Sequence, residues 1–125
     1  MDKNVSAEQI RAYRLKIHNL AAPLPQDDLA GITAAAAVCG LQNSPPGAWE
    51  TAMFNRLAEC NLNNLHAALY ANKSLLQAWS LRGVPLVFPS AQSDIFLAGL
   101  QAQPDEQPWI YTRGITLALD FLQMS

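Results

Sequence analysis

Residues 75–88 read LLQAWSLRGVPLVF: two short runs, 75–81 and 84–88, parted by Arg82 and Gly83. Branched and aromatic side chains of this kind suit a pleated, half-buried surface, so both runs are read as strands. Gly83 supplies the φ freedom that a two-residue hairpin turn requires. Pro85 has no amide to give to a ladder, which predicts that its strand lies at a sheet edge. The hairpin follows a run of helices, and the rest of the chain is read outward from it.

Upstream the apolar period is helical. Ser6-Ala7-Glu8-Gln9 has the pattern of a capping box, with serine and glutamine answering each other's backbone amides. Ile10, Tyr13, Ile17 and Leu20 then form one stripe, with Arg11, Arg14 and His18 off it, and Pro23 and Pro25 are expected to end this helix. Asp27 or Asp28 can cap a second helix, 29–39, which ends at Gly40 in the left-handed position. Ser44 is read as the cap of a third helix, with Pro45 in its first position, running through Trp49, Met53, Arg56 and Leu57 to Cys60. Asn61 or Asn63 starts a fourth, 65–70. Beyond the hairpin, Ser90 is expected to cap a helix over 91–100, and Thr116 a last helix after the acidic loop 101–108. Helices followed by a hairpin give a mainly α fold with a small β-hairpin. That is the order of a winged helix-turn-helix, in one domain over 1–125, with its third helix offered to the major groove and the hairpin as the wing.

The totals narrow the function classes. Half the residues are hydrophobic and 14% are charged, against about a quarter charged in an ordinary soluble domain. So low a charge predicts an apolar face that meets another subunit or a further domain. The net charge of −2 excludes a strongly basic nucleic-acid binder but leaves room for a local patch. Arg11, Arg14 and Lys16 form such a basic edge or simply the wet face of the first helix. Arg82 at the hairpin tip is the best phosphate candidate, the alternative being a solvated turn residue or an ion pair with Asp94. Arg56 is either a further phosphate contact or a side chain that snorkels or pairs with Glu59. Cys39 and Cys60 lack metal-ligand spacing and read as buried free thiols, with no metal and no cofactor expected. Trp49, Trp79 and Trp109 could stack on bases, though Trp49 and Trp79 read rather as core. His18 and His66 read as structural or surface residues, and Asp94 as a favourable charge at a helix start. No apolar run has the length of a signal peptide core or a membrane span, so a cytoplasmic location is expected.

Two segments carry a resemblance. GLQNSPPGAWETAMFNRL (40–57) and AWSLRGVPLVFPSAQSDIF (78–96), in this order, resemble the N-terminal unit of the bacterial winged-helix DNA-binding-domain family that includes crosslink-unhooking DNA glycosylases. The resemblance implies tandem winged helices in a longer protein, with this chain as the first unit. It also implies a site at the 42–44 segment, where the glycosylases carry Gln-x-Gln or Gln-x-Asp to position the attacking water. Gln42 matches that motif. Ser44 stands where the second Gln or Asp is expected, and Leu86 where many relatives have a histidine. A serine hydroxyl offers no negative charge to an oxocarbenium-like sugar, so the motif reads as degenerate and the chain as non-enzymatic. Gln42 either contacts a ligand or ties down its turn, and Asn43 is read as a residue tolerating left-handed geometry. The leading expectation is a module binding double-stranded DNA. The alternative is a scaffold for dimerisation or docking of another protein, and a glycosylase fragment comes third.

Overall fold

A computed structural model describes residues 4–80, 83–98, 104, 105 and 121. These form five α-helices and a three-stranded antiparallel sheet: α1 (Ala7–Ile17), α2 (Leu29–Ala36), β1 (Leu41–Gln42), α3 (Ala48–Phe54), α4 (Leu62–His66), β2 (Leu75–Trp79), β3 (Pro85–Pro89) and α5 (Ser93–Ala98). A π-helical turn, Ala67–Ala71, prolongs α4, and a 3₁₀ turn, Ser90–Gln92, leads into α5. The expected last helix after Thr116, Trp109, and Arg82 at the hairpin tip lie outside the described residues.

Local chemistry sets the helix starts. The capping box of α1 is formed, with the Ser6 hydroxyl accepting from the Gln9 amide at 3.1 Å and the Gln9 side chain accepting from the Ser6 amide at 2.9 Å. The helix ends well before Pro23, because Asn19 takes a left-handed φ of 56°. The amides of Asn19 and Leu20 turn back to the carbonyls of Lys16 and Leu15, a Schellman closure. Asp28 caps α2 through the Gly31 amide, and Asn61 caps α4 through the Asn63 amide.

The third helix departs from its expectation at both ends. Ser44 and Pro45 do not begin it, since Pro46 keeps the residue before it out of helical geometry. Gly47 is the N-cap instead, at φ 92°. At the other end α3 stops at Phe54, because Leu57 forms a parallel bridge with Leu24. The Arg56 carbonyl and the Ala58 amide are taken up by Leu24 in that bridge, so Cys60 lies outside the helix. Ser90 likewise is no helix cap: its hydroxyl and amide both donate to the Ser74 carbonyl, at 3.0 and 2.9 Å.

The strand order is β1-β3-β2. Pro85 and its strand are therefore central rather than at an edge. The missing amide is tolerated because Pro85 is the first residue of β3, where it pairs with Trp79 while its carbonyl accepts from Asn43. The hairpin turn is wider than two residues. Ser80 bonds Val84, and the Gly83 amide donates to the Ser80 carbonyl, with Gly83 at φ 71°, as in a turn closed by a bulge.

The core lies between the inner face of the sheet (Leu41, Leu75, Val87) and the helices, which contribute Ile32, Trp49, Met53, Leu65 and Leu69. Trp49 is buried as expected, whereas Trp79 is 54% exposed. Trp79 shares the parity of Leu75 along β2 but stands at the hairpin end of the strand, paired with Pro85. The two cysteines are free, as expected, but not buried: Cys39 is exposed in the turn after α2, and Cys60 is half-buried. The stripe of α1 is present, but no residue of this helix is buried against the other described residues.

Candidate nucleic-acid interface

The 42–44 segment leaves β1 and bends into α3. Leu41 pairs with Val87 and faces the core; Gln42 pairs with Leu86, so both lie on the opposite, outer face of the sheet. Gln42 is exposed, and its Nε2 donates to the Ser44 carbonyl at 3.1 Å. One amide proton and the carbonyl oxygen of Gln42 remain available to a ligand. The side chain therefore ties its own turn and lines a cleft at once. Ser44 is exposed and, not being a cap, does not spend its hydroxyl on a helix amide.

Asn43 holds the bend together through its side chain rather than through left-handed geometry, which falls to Gly47. Its Oδ1 accepts from the Gly47 amide at 2.9 Å, and its Nδ2 donates to Gln77 Oε1 at 2.7 Å. Those two bonds fasten the loop to the start of α3 and to the far strand of the sheet. Gly40 lies at the base of the same loop, at φ 71°, against the Leu86 side chain and the Val87 carbonyl.

Beside Gln42 opens a cleft of about 500 Å³ between the outer face of the sheet and α5. Leu86, Phe96 and Ile95 give it apolar walls, with Trp79 and Cys39 also lining it. Phe96 stacks on Phe88 with ring centroids 4.6 Å apart. Leu86, at the position where a histidine was looked for, makes this wall apolar.

The candidate cations are dispersed. Arg11, Arg14 and Lys16 are exposed on α1. Arg56 is half-buried, and its guanidinium donates to the Ala52 carbonyl at 2.9 Å, closing the C-terminal end of α3 rather than pairing with Glu59. Burial pushes its pKa below the ordinary value, against a smaller opposing influence of Cys39. Burial also pushes the Cys60 thiol up, helped by the nearby Asp27.

Three features were not legible in the sequence. His66 lies 3.4 Å from Glu50, a neighbour sixteen residues away with no local signal. Tyr70 meets His66 edge-on at 5.8 Å and is 67% exposed. Asp27 does not cap α2 but accepts from the Asn61 amide at 2.6 Å and from Asn64 Nδ2 at 3.1 Å. Carboxylates thus brace α4 from two sides. A further regularity lies in the charges: between Glu59 and Asp94 the sequence holds no acidic residue, while Lys73 and Arg82 carry positive charge. Within an acidic chain, the segment that builds α4 and the hairpin is the exception.

Residues 35–120 match the family model described as DNA glycosylase AlkZ-like. No curated protein and no solved structure matches the chain.

Proposed function

The chain belongs to the DNA glycosylase AlkZ-like family, and on that premise we propose that it is a winged-helix module that binds double-stranded DNA without hydrolysing it. The observation that carries the reading is the order of elements. Helix α2, strand β1, helices α3 and α4 and the β2–β3 hairpin follow one another, and β1 closes the sheet beside β3. A helix followed directly by a hairpin is the arrangement in which helix-turn-helix proteins present one helix to the major groove.

In this proposal the groove helix is α4, not α3. The latter turns Trp49 and Met53 into the core and spends Glu50, mostly buried, on His66 of α4. Lys73 and Arg82 lie in the acid-free segment that includes the hairpin, which complements phosphate. Arg11, Arg14 and Lys16 add exposed positive charge on α1. Arg56 is left out, since its guanidinium serves the end of α3. The absence of hydrolysis rests on Ser44: whatever its hydroxyl bonds, it cannot present a negative charge to the sugar. A cytoplasmic location belongs to the same proposal, and no helix among the described residues is long and apolar enough to cross a membrane.

The test is fluorescence anisotropy of a labelled duplex at two salt concentrations, with an Arg82→Glu variant beside the wild type. Binding that falls with salt, and falls further in the variant, supports the module and its wing contact. A duplex carrying an alkylated base, incubated in parallel, should release none of it. A second reading, a docking scaffold, is favoured by α1, whose exposed Ile10 and Tyr13 line an open groove on that helix. Absence of DNA binding together with dimerisation on a sizing column would select it.

A further inference from the structure

The solvent side of α4 is not explained by packing. Leu65, Ala68 and Leu69 face the core. Asn63, His66 and Tyr70 follow one another at spacings of three and four, the separations at which helix side chains are neighbours. The contact of His66 with Tyr70 keeps that stripe continuous into the π-helical turn. All three residues are exposed.

Two of the polar side chains around this helix are already engaged. Asn64 donates to Asp27, and His66 meets Glu50. These contacts come from different elements, the α1–α2 connection and α3, and they fix the helix in rotation. Asn63 is different: its amide is used in the cap, but no hydrogen bond among the described residues engages its side chain. Tyr70 presents its ring to solvent. Lys73 follows one turn later, next to Tyr70 along a shallow groove. No acidic residue lies in the sequence from α4 through the hairpin, and the two carboxylates that reach α4, Asp27 and Glu50, are half-buried and engaged with Asn61, Asn64 and His66.

A braced helix with a free carboxamide, an exposed ring and a following cation has the parts of a base reader. A carboxamide donates and accepts side by side, which matches the N6 and N7 of adenine in the major groove. An aromatic ring supplies the apolar contact that distinguishes a thymine methyl. Lysine serves phosphate as a point charge. We infer that α4 discriminates DNA sequence, with Asn63 reading an adenine, Tyr70 packing on a neighbouring thymine and Lys73 holding the adjoining phosphate. The inference rests on the DNA-binding reading above and goes beyond it, since phosphate contacts alone give affinity without sequence preference.

The test uses the full chain and a pool of random-sequence duplexes. Duplexes retained by the wild type are sequenced, and the affinity for an enriched duplex is compared with that for its scrambled counterpart. The expected result is enrichment of a short motif containing A·T pairs. Asn63→Ala should lower the ratio of the two affinities by roughly tenfold, weakening the enriched duplex more than the scrambled one. Lys73→Ala should weaken both duplexes alike and flatten the salt dependence. A circular dichroism spectrum matching the wild type shows that the variants fold. Binding of all duplexes with no enriched motif, or an affinity ratio unmoved by Asn63→Ala and Tyr70→Ala, overturns this inference and leaves the DNA-binding reading standing. A wild type that retains no duplex at all overturns both.

Discussion

Gly40→Ala is the substitution whose cost can be worked most directly from the geometry. Gly40 ends the turn after α2 and leads into β1 at φ 71°. A side chain held in the left-handed region costs about 1–2 kcal/mol. The added methyl would also stand 2.8 Å from Leu86 Cγ, 2.9 Å from its Cδ2 and 3.1 Å from the Val87 carbonyl. The Leu86 side chain can yield, but the Val87 carbonyl belongs to the central strand and cannot do so freely. Overpacking of this kind adds about 1–3 kcal/mol, for a total near 3 kcal/mol, or a fall in Tm of about 10 °C. Gly47→Ala is the natural control. It shares the positive φ, at 92°, yet the nearest atom to its new methyl is Glu50 Oε2 at 4.0 Å, so only the left-handed term applies. Urea unfolding of both variants, read by tryptophan fluorescence, to which the buried Trp49 contributes, separates the two contributions. A Gly40→Ala variant no less stable than Gly47→Ala would refute the close approach of the α2–β1 turn to β3.

Other outcomes follow from the same contacts. Asn61→Ala removes the cap of α4 and should cost about 1 kcal/mol, measured as a lower urea midpoint at unchanged slope. Asn43→Ala strips the Gly47 amide and Gln77 of their partner and should cost about 1–2 kcal/mol, whereas a role confined to backbone geometry would leave stability near that of the wild type. Cys39 is exposed, while Cys60 is half-buried with its thiol pKa raised, so less of Cys60 is thiolate at any pH below that value. Iodoacetamide at about pH 8 should therefore modify Cys39 roughly tenfold faster than Cys60, as followed by peptide mass spectrometry; equal rates would contradict the burial of Cys60.

What the sequence made legible was chemistry acting within a few residues. Ser6 with Gln9, the cap pairs Asp27 or Asp28 and Asn61 or Asn63, and the left-handed Gly40 could be read locally, because caps and turns are fixed by near neighbours, while the choice within each pair was left to the fold. The hairpin was legible from its change of period. The central place of β3 was not, because its second partner, β1, spans only Leu41–Gln42 and is too short to show a period. The start of α3 was misread because Ser44 and Pro45 satisfy the local rule for a helix start, and Pro46 overrides it. Trp79 alternates like a core residue, yet it stands at the hairpin end of β2 and is exposed. At the candidate interface, Gln42 was named through the family motif it resembles and the arginines from residue type. The bracing of α4 by Asp27 and Glu50 could not, since it joins residues that only the fold brings together.

The most direct test of the central claim is a titration of the ¹⁵N-labelled protein with a short duplex, following backbone amide shifts. The DNA-binding reading predicts that the largest shifts fall on α4 and the β2–β3 hairpin, with smaller ones on the basic edge of α1. Shifts confined to α1, or none at saturating duplex, would contradict it.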